Sequence, residues 1–199
     1  MGCNQARSDL IYEEQVVREC EAKLNFKSVS LIDFTFRKFS FNRVVNHLQF
    51  EEAAKEIGLT PNTKFYEDLF NLGEVELKKL LVLGVILGKG EDYQKAVLLF
   101  QVYDHSNSYE ISSADVADLL ETVAQLFTKN VATVIGSRPG IATYLDNCYS
   151  MKDPGNKALC RRIMKNQTAI SRDDFCDFFI EKRLLSSSGI RNFYHKLTI

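Results

Sequence analysis

The sequence has few prolines, no excess of charge and no long apolar run, and each absence excludes a class of protein. Three prolines in 199 residues, with no low-complexity segment, argue against a long disordered region. The formal net charge is −1, so a strongly basic face for nucleic acid is not expected. The longest apolar run, residues 80–87, is far shorter than the roughly 20 residues that span a bilayer.

Signatures of catalysis and of metal binding by thiols or imidazoles are also missing. The five cysteines include no CxxC pair, and an odd number at wide spacing indicates reduced thiols in a cytosolic protein. The three histidines stand far apart, so a structural zinc site lacks its ligands. Because no glycine-rich phosphate loop, nucleophile elbow or HExxH motif occurs, we predict that the protein is not an enzyme.

The first residues carry a lipidation pattern and no secretory signal. After removal of Met1, Gly2 would accept myristate and the adjacent Cys3 would accept palmitate. Ala6 stands where the myristoylation pattern prefers Ser or Thr. One myristoyl chain binds membranes only marginally, so the second chain would be needed for stable attachment. The alternative interpretation is an ordinary initiator methionine followed by a small residue.

Apolar residues recur at helical spacing through nearly the whole chain, which predicts an all-α fold. A first amphipathic helix is predicted over residues 8–24. Val17 and Leu24 mark its apolar face, and Glu14 and Glu21 lie between the apolar positions. No segment shows sustained strand alternation, so only short strand pairings inside loops are expected.

Several breaks divide the helical pattern. Gly58 is predicted to end one helix as a left-handed cap. Another helix is predicted to run from Val116 toward Val134. Residues 153–155 predict a turn, and residues 186–199 predict a tail with one weak apolar face.

A helix–loop–helix motif over residues 100–116 is the most informative pattern. Tyr103 precedes its polar loop, and the branched Ile111 lies near the loop's end. Oxygen-bearing groups recur through the loop at fixed intervals. They are Asp104, Ser106, Ser108, Glu110 (through its carbonyl), Ser112 and Asp115. The intervals match ligand positions 1, 3, 5, 7, 9 and 12 of a calcium-binding EF-hand loop.

Three further segments repeat this motif with fewer oxygen ligands. The residues nearest to their pairing positions are Leu48 (one place late), Val75 and Ile170. In the first loop, only Asn42, Asn46 and Glu52 offer oxygens. In the second, Lys79 stands where the bidentate acid should be, and in the last, residues 163–167 cannot hold calcium.

These features resemble the EF-hand proteins of the calcineurin-B and neuronal-calcium-sensor type, with degenerate loops. The resemblance covers nearly the whole chain after residue 30. It implies an N-terminal helix and four EF-hand-like helix–loop–helix units in two paired lobes. The implied divisions are 1–30 (lipidation site and helix), 31–90 (first pair), 91–185 (second pair with an insertion) and 186–199 (tail).

The third loop is predicted to bind calcium or magnesium weakly or not at all. It offers two carboxylates, and Asp115 is shorter than the usual glutamate. Tyr109 replaces the glycine that makes the sharp turn, where a bulky residue is expensive. The alternative is a polar loop held by hydrogen bonds to its own backbone, without metal.

The resemblance implies a non-catalytic adaptor or regulatory subunit that binds an amphipathic helix of a larger protein in an apolar groove. Candidate groove residues, most of which must be core, are Phe34, Phe36, Phe65, Phe70, Phe100, Leu119, Phe178 and Phe179. A lipidated N-terminus would make the protein cytoplasmic and peripherally membrane-bound. The net charge near zero predicts no nucleic-acid partner. Two alternatives are a true calcium sensor acting through the third unit and a scaffold subunit of a cytoskeletal or ciliary assembly.

Overall fold

The chain folds mainly into helices, as its periodicity predicts. A computed structural model describes residues 2–59, 63–70, 72–135 and 138–197. The side chains of residues 2–11, 63, 134 and 139 lie outside this description, and so do those of the predicted lipidation residues Gly2 and Cys3.

Helices and short strands alternate along the described chain. The helices of the first half are α1 (Gly2–Ala22), α2 (Val29–Phe39), α3 (His47–Ile57), α4 (Thr63–Glu67) and α5 (Leu77–Leu87). Those of the second half are α6 (Asp92–Tyr103), α7 (Ser113–Ala124), α8 (Ala132–Ile135), α9 (Pro139–Ser150), α10 (Lys152–Met164), α11 (Arg172–Glu181) and α12 (Ser187–His195). The strands are β1 (Val44–Asn46), β2 (Glu74–Glu76), β3 (Glu110–Ser112) and β4 (Ala169–Ser171). A π-helical segment, Gln125–Asn130, lies between α7 and α8.

The strands form two antiparallel pairs, β1 with β2 and β3 with β4. Val45 lies opposite Val75 in the first pair, and Ile111 lies opposite Ile170 in the second. The pairing roles of Val75, Ile111 and Ile170 are therefore confirmed. The placement of Leu48 near the pairing position is wrong, because Leu48 follows the strand, at the start of α3, with 73% of its surface exposed.

A local turn explains the shifted register of β1. Asn42 and Arg43 both adopt left-handed backbone conformations, with φ of 48° and 63°. Two such residues in succession turn the chain before the strand begins, so Val45 reaches the partner strand three residues earlier than Leu48 would.

Side-chain caps fix the helix that follows each of three strands. Asn46 and Gln49 cap α3 reciprocally, each side chain accepting a hydrogen bond from the other residue's backbone N–H at 2.9 Å. Ser112 and Asp115 do the same for α7. Ser171 accepts from the Asp174 N–H at the start of α11. Such caps satisfy N–H groups that have no partner in the first helical turn.

Each strand pair holds together a set of helices with a shared apolar core. In the first half, α2 packs against α3 and α5. In the second, α6 packs against α11 and α7 against α10, while α5 and α6 join the two halves. The glycine prediction for α3 is confirmed, since Gly58 caps it with φ of 71°.

Three predictions of where helices begin and end are wrong. Residues 153–155 lie inside α10 rather than in a turn, because proline is tolerated in a first helical turn. The helix from Val116 does not continue as one α-helix, since α7 ends at Ala124 and the π-helical segment follows. The predicted tail contains α12, whose Ile190 and Tyr194 are buried.

Candidate functional site

The loop between α6 and β3 is closed by its own side chains. The Asp104 carboxylate accepts hydrogen bonds from the backbone N–H groups of Ser108 and Tyr109, at 3.0 and 2.9 Å. Ser108 Oγ donates to the Glu110 carbonyl at 3.1 Å and contacts Ser106 Oγ at 3.0 Å. The loop therefore has a network of hydrogen bonds among its own side chains and backbone groups.

At the other end of this loop, Asp115 acts as a helix-capping residue. Its carboxylate accepts from the Ser112 N–H at 3.0 Å and from the Ser112 hydroxyl at 2.5 Å. Within the described part of the chain, no group of three or more His, Cys, Asp or Glu side chains is placed to hold a metal ion. The loop offers two carboxylates, both of which accept hydrogen bonds from its own N–H and O–H groups, and weak or absent cation binding stays a prediction.

The backbone of this loop is strained at the position that usually holds glycine. Tyr109 has φ of 61°, in the left-handed region that bulky residues rarely occupy. Two contacts with Arg172 offset this cost. The Arg172 N–H donates to the Tyr109 carbonyl at 3.1 Å, and its guanidinium lies 5.1 Å from the centre of the Tyr109 ring.

The loop before β2 ends in an ion-pair cluster rather than a cation ligand. Lys79 Nζ lies 3.1 Å from Glu76 Oε1, and Lys78 contacts both Glu76 and Asp118. Burial alone would raise the pKa of Glu76, but the two lysines hold it below its usual value. The ammonium group of Lys79 stands where the EF-hand pattern would place a chelating acid. This loop therefore carries a positive side chain at that position.

Burial separates the eight predicted groove residues into two groups. Five are fully buried and pack in the core: Phe36, Phe65, Phe100, Leu119 and Phe179. Phe70 and Phe178 are half-buried, and Phe34 has 64% of its surface exposed. Only these last three offer surface to a partner in this conformation.

The C-terminal helix fills the apolar space between α7, α10 and α11. Its apolar side chains are Ile190, Phe193 and Tyr194, and the side chains around them are Leu120, Val123, Leu159, Phe179 and Leu184. The cavity left among these residues measures only about 10 Å³. The interior of the second half is therefore already occupied by the chain's own terminal helix.

A buried ionic cluster joins the two ends of the chain. Arg191 of α12 is fully buried, and Glu14 and Glu21 of α1 are each only 7% exposed. Arg191 Nη2 lies 2.8 Å from Glu14 Oε1, and Arg191 Nη1 lies 2.7 Å from Glu21 Oε1. Burial opposes the charged guanidinium, but the carboxylates outweigh it and raise the pKa of Arg191 above its usual value.

Neighbouring groups complete the hydrogen bonds of this cluster. The Tyr144 hydroxyl donates to Glu14 at 2.9 Å, and the Ser187 hydroxyl donates to Glu21 at 2.6 Å. Arg191 Nη1 also donates to the Phe127 carbonyl at 3.3 Å, within the π-helical segment. Such segments often mark functional positions in helices. Because every charge has a partner, the cluster fixes α1, α9 and α12 in one arrangement.

On the described part of the chain, two clefts of several hundred cubic ångströms differ in their charges. One, of about 550 Å³, mixes cations such as Arg37 and Arg43 with Glu76 and Asp104. The other, of about 430 Å³, lies between α10, α11 and α12. Both fall in the size range of ligand-binding clefts.

Comparison with known proteins gives no relative for this chain, because no family model, curated protein or solved structure matches it. None of the described helices is long and apolar enough to cross a membrane.

The sequence interpretation missed the ionic cluster, although a signal for it exists. Glu14 and Glu21 are seven residues apart, the same spacing as Val17 and Leu24 on the apolar face. Acids at that period inside an apolar stripe point to a buried cation. The position of that cation, Arg191, could not be read from spacing, because α12 meets α1 only in the tertiary fold.

Proposed function

We propose that the protein is a non-catalytic, EF-hand-like adaptor or regulatory subunit that binds a helix of a larger protein. The observation that carries the proposal is the register of the two strand pairs. Val45 with Val75, and Ile111 with Ile170, each join two helix–loop–helix units through branched apolar residues. This is the register expected for paired EF-hand loops, and paired hands bind target helices through apolar surfaces.

The adaptor would act without calcium. The loop hydrogen bonds of Asp104 and Asp115 and the ion pairs of Lys79 stabilise the loops in the absence of metal. A loop that is already closed gains little from a cation, so metal would not switch the protein between two states. Lipids on Gly2 and Cys3, as the sequence predicts, would attach the adaptor to a membrane surface.

The adaptor proposal is tested by selecting peptides from a random 16-residue phage library on the full chain. We expect enriched peptides with apolar residues at i, i+3, i+4 and i+7, the pattern of a helix lying in a groove. Circular dichroism of the synthesised peptides, free and bound, then measures helix formation. If repeated selections enrich no peptide, the adaptor proposal is wrong.

Metal independence is tested by calorimetric titration of the metal-stripped chain with calcium in physiological magnesium. We expect no saturable heat below millimolar calcium. Asp104→Ala should destabilise the chain by about 0.5–1.5 kcal/mol in metal-free buffer, because the backbone N–H groups of Ser108 and Tyr109 lose their acceptor. Glu110→Gln is the matched control, since only its backbone carbonyl takes part in the network.

The alternative of a calcium sensor has a distinct signature in the same experiment. Heat that saturates at micromolar calcium, and that disappears in Asp104→Ala, would overturn metal independence and favour the sensor.

A further inference from the structure

The cleft between α10, α11 and α12 combines an apolar floor with a cationic rim. Its floor is formed by the buried Leu159 and by Phe178 and Phe193, which are half-buried. Phe193 and Leu159 also border the filled interior beneath α12, so the floor is continuous with the core. The rim carries four exposed cations, Arg162, Lys182, Arg183 and Lys196.

The charge of this rim is only partly balanced by neighbouring acids. Among the residues that the structure describes, the nine that line the cleft include no Asp or Glu, although the whole chain carries 25 basic and 26 acidic residues. Lys182 contacts the exposed Glu181 next to it. Among the described residues, Arg162, Arg183 and Lys196 have no ion pair within 4 Å. The larger cleft differs, since Glu76 and Asp104 lie among its cations.

We propose that this cleft binds an acidic segment, with an apolar face, of a partner protein. The proposal rests on the adaptor function above and specifies the chemistry of the partner. Carboxylates of the segment would meet the four cations, and its apolar side chains would cover Phe178 and Phe193. Partly buried aromatic side chains are the usual energetic centre of an interface, and the charged rim gives selectivity and a fast encounter.

The shape of the cleft favours a protein segment over a lipid surface. The three helices enclose a concave space of about 430 Å³, whereas a bilayer meets a flat or convex basic face. The aromatic floor lies below the rim cations, so a ligand must enter the cleft to cover it. A few side chains of a helix or extended segment can do this, and a planar array of headgroups does not.

The proposal is tested by the same phage selection on the full chain, with the net charge of the enriched peptides as the quantity measured. We expect the enriched peptides to carry net negative charge beside their apolar positions. Arg162→Glu combined with Arg183→Glu should weaken their binding at least about tenfold, because like charges then face each other. Raising the salt from 0.05 to 0.5 M should weaken binding to the wild-type chain and have little effect on the variant.

A matched control separates a local effect from a change in overall charge. Arg18→Glu combined with Lys55→Glu reverses two exposed cations in the first half of the chain. This control should leave peptide affinity within about twofold of the wild-type value. Circular dichroism melting checks that both double variants remain folded, as expected for exposed positions.

Other outcomes overturn the proposal, and they can be told apart. Enriched peptides without an acidic bias, or with binding unaffected by the Arg162 and Arg183 reversals, would leave the adaptor function in place and refute the acidic site. An absence of enriched peptides would refute both. If phosphatidylserine vesicles sediment the unlipidated chain, with loss in the same variant and with no peptide bound, the cleft is a membrane site instead.

Discussion

At the scale of the residue, Arg191 has the clearest energetic role. It is the largest of the fully buried side chains, and its guanidinium contacts two carboxylates from the opposite end of the chain. Buried ion pairs add little net stability compared with apolar residues of the same volume. Removing one partner is different, because the remaining charges stay buried without compensation.

Arg191→Met should therefore destabilise the protein by about 3–5 kcal/mol, the usual cost of leaving a buried charge unpaired. The free energy of unfolding, obtained from urea denaturation followed by circular dichroism, measures this loss. Adding Glu14→Gln and Glu21→Gln to the same chain should recover part of it, because the buried charges disappear. A loss below about 1 kcal/mol in the single variant would show that the cluster is not buried in solution.

Cysteine reactivity offers a second prediction at this scale. Burial raises the pKa of Cys148 to about 12 and that of Cys176 to about 11, while Cys160 is half-buried. With a pKa of 12, only about one Cys148 in ten thousand is a thiolate at pH 8, and the thiolate is the reactive form.

Iodoacetamide at pH 8 should thus modify Cys160 well before Cys148 or Cys176 in the native protein. Peptide mass spectrometry at increasing times measures the order of modification. In urea, all three should react at similar rates, which serves as the control. Equal rates for Cys148 and Cys160 in the native protein would contradict the described packing.

At the scale of the element, the contact between α10 and α12 depends on one glycine. A Cβ atom at Gly155 would lie 2.8 Å from two ring carbons of Tyr194, which is closer than side chains normally pack. Tyr194 is itself buried, and its hydroxyl donates to Asn156 at 2.6 Å. The absence of a side chain at position 155 lets α12 approach α10.

Gly155→Ala should accordingly destabilise the chain by about 1–3 kcal/mol, the usual cost of overpacking. Gly140→Ala is the matched control, because Gly140 is also helical but exposed, with no atom closer than 3.6 Å to an added Cβ. It should stabilise the chain by up to about 1 kcal/mol through helix propensity. Thermal melts of the two variants should therefore shift in opposite directions.

The two strand pairs show which elements could be predicted from the sequence. Ile111 and Ile170 were identified as partners because loop spacing fixes which residue faces the neighbouring strand. Leu48 was misplaced because two left-handed residues, Asn42 and Arg43, shorten the path to the strand. Spacing does not record such turns when the residue concerned is an arginine rather than a glycine.

At the scale of the whole molecule, the cluster of α1 and α12 ties the N-terminal helix to the second half of the chain. Lipids on Gly2 and Cys3 would then hold a rigid body, rather than a free tail, at the membrane. One acyl chain gives marginal binding and two give stable attachment, so the proposed attachment requires lipids on both residues.

In cells that supply both lipids, Gly2→Ala should move the protein from the membrane fraction to the soluble fraction. Cys3→Ser should leave it weakly and reversibly bound. Ala6→Ser, which restores the preferred residue of the pattern, should raise the fraction that carries myristate. Intact mass and fractionation measure these changes, and an unmodified N-terminus would refute the lipidation prediction.

The sequence by itself determined the helical fold, the cap at Gly58 and the pairing positions Val75, Ile111 and Ile170. These depend on spacing and on residue type within a short stretch of chain. The tertiary structure alone decided that α12 fills the interior of the second half and that Arg191 meets Glu14 and Glu21. It also decided that the cations of α10, α11 and α12 share one cleft. Contacts between segments far apart in sequence depend on how whole helices pack, and no local pattern records that geometry.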